Sequence, residues 1–182
     1  MDSAGRAPDP GPGAGAACPR IAPRRRWGAV RPLQREPMSQ PAGRAIIHHT
    51  ALSQCHSPDS CAQELRDIQS LHMRHRGFDD IGYNFLIGGD GSVYEGRGWG
   101  IVGAHAKMHN NNSLGIALMG HFSHQPPTPA ALSSAQQLLE CGVALGHLHP
   151  DYTLSGHRDV RNTECPGDQL YSAMRQFAHF QQ

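Results

Sequence analysis

The chain has 182 residues, 38% of them hydrophobic and 17% charged, with a formal net charge of +1 when histidine is neutral. That length accommodates one domain with a buried core, and the near-neutral charge excludes the broad basic footprint of a nucleic-acid binder or a polybasic membrane anchor. No run of about 18 apolar residues exists, so no membrane span is expected.

Residues 1–17 are rich in Gly, Pro and Ala and carry neither a basic nor an apolar signal-peptide region. They read as a disordered tail ahead of a domain over 18–182. Arg24-Arg25-Arg26 reads as a solvated turn, and Trp27 to Met38 as an extended or irregular entry. After a turn at Pro41 to Gly43, Ala45-Ile46-Ile47 reads as a buried strand that leaves His48 at or just past its end. Ser60 with Gln63 resembles a capping box, and Leu65, Ile68 and Leu71 recur at helical spacing, which predicts a helix to Arg74.

Gly82 to Ile87 and Ser92 to Gly96, joined by Gly88-Gly89-Asp90-Gly91, read as a hairpin with Tyr83 at the beginning of its first strand. Gly98 to Asn112 is a long loop suited to binding, and Ser113 to Gly120 a central strand. Thr128-Pro129 opens a helix whose apolar face includes Leu132, Ala135, Leu138, Leu139 and Val143. Tyr152-Thr153-Leu154 is a short strand, and Leu170, Met174 and Phe177 mark a last helix. The sum is an α/β domain, a central mixed β-sheet flanked by about three helices, with its chemistry at strand ends and loops.

Five cysteines are an odd number, so at least one stays outside any intramolecular disulfide set. Cys55 and Cys61 can close a small loop, and Cys18 and Cys141 could tie the N-terminal segment to a later helix, which would leave Cys165 as a thiolate. Five reduced thiols are the alternative that composition leaves open. Two imidazoles and one thiolate make a zinc set with an open fourth position. His48, His157 and Cys165 offer it: His157 and Cys165 sit eight residues apart in a polar, proline-ended segment that reads as a loop, able to turn both donors to one point. Thirteen histidines also make chance placement easy.

The segments Ile46-Ile47-His48-His49-Thr50-Ala51, Asp80-Ile81-Gly82-Tyr83-Asn84-Phe85, Val93-Tyr94-Glu95-Gly96-Arg97-Gly98-Trp99, Gly103-Ala104-His105, Ser113-Leu114-Gly115-Ile116 and Gly156-His157-Arg158-Asp159-Val160 decide the matter by order and spacing. With Cys55 and Cys61, they make the chain from about Cys18 onward resemble the peptidoglycan recognition proteins, relatives of zinc N-acetylmuramoyl-L-alanine amidases. The resemblance implies Zn2+ held by His48, His157 and Cys165, with Tyr83 and Thr163 completing the catalytic set. It also implies a groove for muramyl peptides of bacterial peptidoglycan, to which His49, Thr50, Arg97, His105 and Asn110 are expected contacts. In the family a residue pair distinguishes diaminopimelate-type from Lys-type stem peptides, and Gly100-Ile101 is read as that pair here. The disulfides Cys55–Cys61 and Cys18–Cys141 are expected, as is a secreted protein of antibacterial innate immunity, although no signal peptide is visible.

Many short vertebrate members of the family have lost the cysteine or a histidine and bind without cleaving. This chain keeps His48 and Cys165, so the resemblance implies hydrolysis of the lactyl-L-alanine amide. The alternatives are a non-catalytic, peptidoglycan-binding recognition or bactericidal protein, and a cytosolic protein with incidental histidines.

Overall fold

A computed structural model describes residues 18–181, so the expectation for the 1–17 tail lies outside the described residues. The central element is β2, Ala42–His49, whose last five residues are all buried. Branched Ile46 and Ile47 suit a strand covered on both faces. β2 lies between β5, Ser113–Leu118, and β6, Leu148–Gly156, and is parallel to both. The sheet continues through β3, Phe85–Ile87, and β4, Val93–Glu95, to the two-residue edge strand β1, Ile21–Ala22, giving the order β1-β4-β3-β5-β2-β6. Only the β3–β4 hairpin is antiparallel among these pairs, so the sheet is mixed.

Helices cover both faces. Against one lie α3, Pro129–Ala144, and α5, Asp168–Met174, through Ala131, Ala135, Leu138, Leu139, Leu170 and Met174, which pack with Ala45, Ile47, Leu114, Ile116 and Leu118. Against the other lies α2, Pro58–Ser70, through Leu65 and Ile68, with Trp27 of the one-turn α1, Arg24–Trp27. Thr128 caps α3 through its hydroxyl, which accepts from Ala131 N, as its sequence signal predicts.

Several expectations are corrected. The cap of α2 is Ser57, whose hydroxyl accepts from Ser60 N, with Pro58 in the first turn, so Cys61 lies inside the helix. One wide turn, Leu71–His75, extends it. Tyr83 precedes β3 rather than starting it. β6 begins at Leu148, well before Tyr152, because pairing with β2 carries the exposed His149-Pro150-Asp151 along. His157–Val160 forms a helical turn, α4, where a loop is expected. Arg24 is no solvated residue: its guanidinium grips buried Asp80 at 2.8 and 3.0 Å. The disulfides Cys55–Cys61 and Cys18–Cys141 are formed and Cys165 is free. No helix among the described residues is long and apolar enough to cross a membrane.

Candidate metal centre and groove

The topology brings two histidines to one sheet edge. Ile47 of β2 stands opposite Gly156 of the parallel strand β6, so the next residue of each chain segment, His48 and His157, emerges at the same carboxyl end. Crevices beyond the carboxyl ends of parallel strands are where open α/β sheets hold ligands. Side chains alternate along a strand, which puts His48 on the opposite face from Ile47, away from α3. The His48 and His157 ring centroids are 4.4 Å apart.

Cys165 completes the cluster. Its Sγ is 3.8 Å from His48 Nδ1 and accepts from His49 N at 3.4 Å. One donor atom from each of His48, His157 and Cys165 lies within 4.8 Å of the other two. The segment that carries Cys165 is held by short local bonds. Arg158 N donates to Cys165 O at 2.9 Å, Gly167 N to Glu164 O at 2.9 Å, and Cys165 N to Thr163 Oγ1 at 3.2 Å. Asp159 accepts from Gly156 N and from the Tyr171 hydroxyl, at 2.8 and 2.7 Å.

Burial sets the protonation of all three groups. Burial, and secondarily the nearby histidines, hold His48 far below the usual imidazole range, while burial and then Arg161 lower His157. Both rings are therefore neutral, the form that ligates. Burial pushes the Cys165 thiol up to about 12, against the opposing pull of the His49 amide and Arg158. A thiol so placed ionises at neutral pH only beside a positive charge, and a His2Cys set with burial of this kind fits Zn2+.

Tyr83 lies 5.2 Å from the His48 ring, centroid to centroid. Burial, and secondarily Cys165, raises its pKa above the ordinary phenol value, so its O–H persists as a donor. A cavity of about 500 Å³ opens over the cluster. Tyr83, Thr163, His49 and His105 line it, as do His72, Arg76, His121, Ser123 and Glu164, which sequence reasoning missed. His72 and Arg76, four residues apart at the end of the α2 helical run, were the available signal. His72 Nδ1 accepts from Gly82 N at 2.8 Å, and burial holds its pKa down at about 4.

Five expected groove contacts do not line this cavity. The Thr50 hydroxyl accepts from Gly120 N. Arg97 is an internal strut, 9% exposed, donating to the carbonyls of Ile81 and Val102. Asn110 Oδ1 accepts from His105 N and Ala106 N, both at 2.9 Å, and so shapes the loop. Gly100 and Ile101 are engaged by the N-terminal segment: Met38 N donates to Gly100 O, and Ile101 bridges Pro37. Loop glycine and asparagine signalled a turn, and here the turn is structural.

Residues 38–168 match the family model described as N-acetylmuramoyl-L-alanine amidase. The chain is 45% identical over 171 residues to peptidoglycan recognition protein 1 of Bos indicus, covering 93% of this chain and 90% of that one. It is 44% identical over 168 residues to the N-acetylmuramoyl-L-alanine amidase of Sus scrofa, covering 90% of this chain and 28% of the longer relative. The fold is similar to human PGRP-IBETAC in complex with glycosamyl muramyl pentapeptide, with a TM-score of 0.87 and 43% identity over 91% of this chain and all of that one.

Proposed function

From the premise that this chain belongs to the N-acetylmuramoyl-L-alanine amidase family, and within it to the peptidoglycan recognition proteins, we propose that it is a secreted, zinc-dependent amidase. It binds muramyl peptides of bacterial peptidoglycan and hydrolyses the lactyl-L-alanine amide in antibacterial innate immunity. The observation that carries the reading is the His48, His157 and Cys165 cluster at the floor of a polar cavity. The Cys55–Cys61 and Cys18–Cys141 disulfides support an oxidising, extracellular setting. The domain that does this work is residues 18–182.

His48, His157 and Cys165 would hold the ion, which when bound supplies Lewis acidity and a water acidified toward neutrality. Tyr83 remains protonated and donates a hydrogen bond to the oxyanion that develops on the scissile carbonyl. Thr163 Oγ1 accepts from Cys165 N, which leaves its own O–H to orient substrate or water. Being neutral, Thr163 contributes direction rather than charge. His49, His72 and Arg76 line the cavity and offer donors to peptide carbonyls and stem carboxylates.

The test is release of free stem peptide from purified peptidoglycan, followed by mass spectrometry. Release is expected with zinc, and its loss with chelator or in Cys165→Ser. Stoichiometric zinc without any free stem peptide would overturn the amidase reading and leave a peptidoglycan-binding recognition protein. Thr163→Ala should lower kcat more than it raises KM.

A further inference from the structure

His48 can present only one of its two ring nitrogens to a metal, and a neighbouring chain of hydrogen bonds selects which. Its Nδ1 faces Cys165 Sγ at 3.8 Å, while its Nε2 lies 2.9 Å from His105 Nδ1. The other nitrogen of His105, Nε2, is 3.3 Å from Ser113 Oγ, and Ser113 Oγ donates to His109 O at 2.7 Å. All three side chains are buried: Ser113 is 0%, His48 1% and His105 9% exposed.

The protons can be placed by working back from the carbonyl. A carbonyl oxygen only accepts, so the single hydroxyl proton of Ser113 is committed to His109 O. Toward His105 the serine oxygen can then only accept, which requires a proton on His105 Nε2. A neutral imidazole carries one ring proton, so His105 Nδ1 holds a lone pair and accepts from His48 Nε2–H. His48 Nδ1 is then the bare nitrogen, and it is the one directed at Cys165.

The seat of His105 is built to hold this direction. Its backbone N–H and that of Ala106 are tied to Asn110 Oδ1, and its ring lies flat on β5 at Gly115, where an added Cβ would come within 2.5 Å of the ring. Both ring nitrogens are spent within the protein, so His105, which the sequence suggested as a groove contact, has none left for a peptide carbonyl.

We infer that His105 and Ser113 are positioning residues, a relay anchored on the His109 carbonyl that fixes His48 in the Nε2–H tautomer and leaves Nδ1 ready to ligate. The relay's effect on zinc rests on the amidase reading above, while the tautomer itself does not. Outer hydrogen bonds of this kind orient ligating histidines, and their loss typically costs about 10–100-fold in metal affinity.

The experiment uses the full, disulfide-bonded chain. Long-range proton–nitrogen NMR of the 15N-labelled, zinc-free protein should show both His48 and His105 protonated at Nε2, and either ring found protonated at Nδ1 overturns the inference. In chelator competition, His105→Phe should weaken zinc binding by about 10–100-fold. His105→Asn, whose amide oxygen can replace the Nδ1 acceptor, should restore most of that loss, and Ser113→Ala should weaken binding less than His105→Phe. A folded His105→Phe that binds zinc as tightly as the parent overturns the role. Should that variant fail to fold, Ser113→Ala and the tautomer spectrum decide. A parent chain that binds no zinc overturns the amidase reading, and the spectrum still tests the relay.

Discussion

The two sides of the histidine–cysteine cluster are built by opposite strategies. His48 belongs to a strand hydrogen-bonded on both sides and is buried to 1%. His157, Thr163 and Cys165 sit on a half-exposed segment secured by its own short bonds and by Asp159, Arg158 and Tyr171. The first side obtains precision from the core, so its geometry is as stable as the domain. The second obtains it from local polar contacts, which open at lower free energy than the core. A site made this way has a fixed wall and an adjustable one.

The largest test strikes the fixed wall. Ile47→Ala removes a side chain packed between β2 and α3, and should cost about 2–5 kcal/mol of global stability by urea unfolding. A loss under about 1 kcal/mol would mean that the strand side is not held by the core.

Next in size is pH. His72 has a folded pKa of about 4 against about 6.5 for free imidazole, so between those values the unfolded chain binds a proton that the folded chain refuses. Stability from this group is full above about 6.5 and declines as pH falls toward 4. Urea midpoints should therefore drop between pH 7 and pH 5. His72→Asn keeps an acceptor for Gly82 N and should flatten part of that slope, whereas an unchanged slope would remove His72 from the account.

The smallest effect is on the adjustable wall. Tyr171→Phe deletes the hydroxyl that Asp159 accepts and should change global stability by about 1 kcal/mol or less. It should nonetheless speed amide exchange across residues 158–167 and alkylation of zinc-free Cys165. If exchange at the end of β2 accelerates equally, the two walls are one cooperative unit and the contrast fails.

Much of the fixed wall was legible in the sequence. Ile46-Ile47 marks β2 because branched side chains fit a doubly covered strand, and Thr128-Pro129 marks α3 because its cap is chemically specific. Residue type and a family resemblance single out His48, His157 and Cys165, and the fold gathers them beyond the carboxyl ends of β2 and β6. What was not legible is pairwise. Ser57 outcompetes Ser60 as a cap because Pro58 begins the helix, and β6 starts early because its partner strand extends it. Arg97 and Asn110 resemble groove contacts in the sequence because polar loop residues beside a binding motif look alike in one dimension, yet neither lines the cavity. Which way a polar side chain faces depends on the carbonyl it meets, and those carbonyls belong to distant segments.

The parallel register of β2 and β6 has a consequence for how the molecule comes to exist. His48 and Cys165 are 117 residues apart, and contacts of such separation form slowly because long loops must close first. The cluster draws on both β2 and the segment that follows β6, so it is absent from any chain in which those two strands have not paired. In refolding, protection of Cys165 from thiol reagents should rise with the last kinetic phase, making the site a built-in proof of completed assembly.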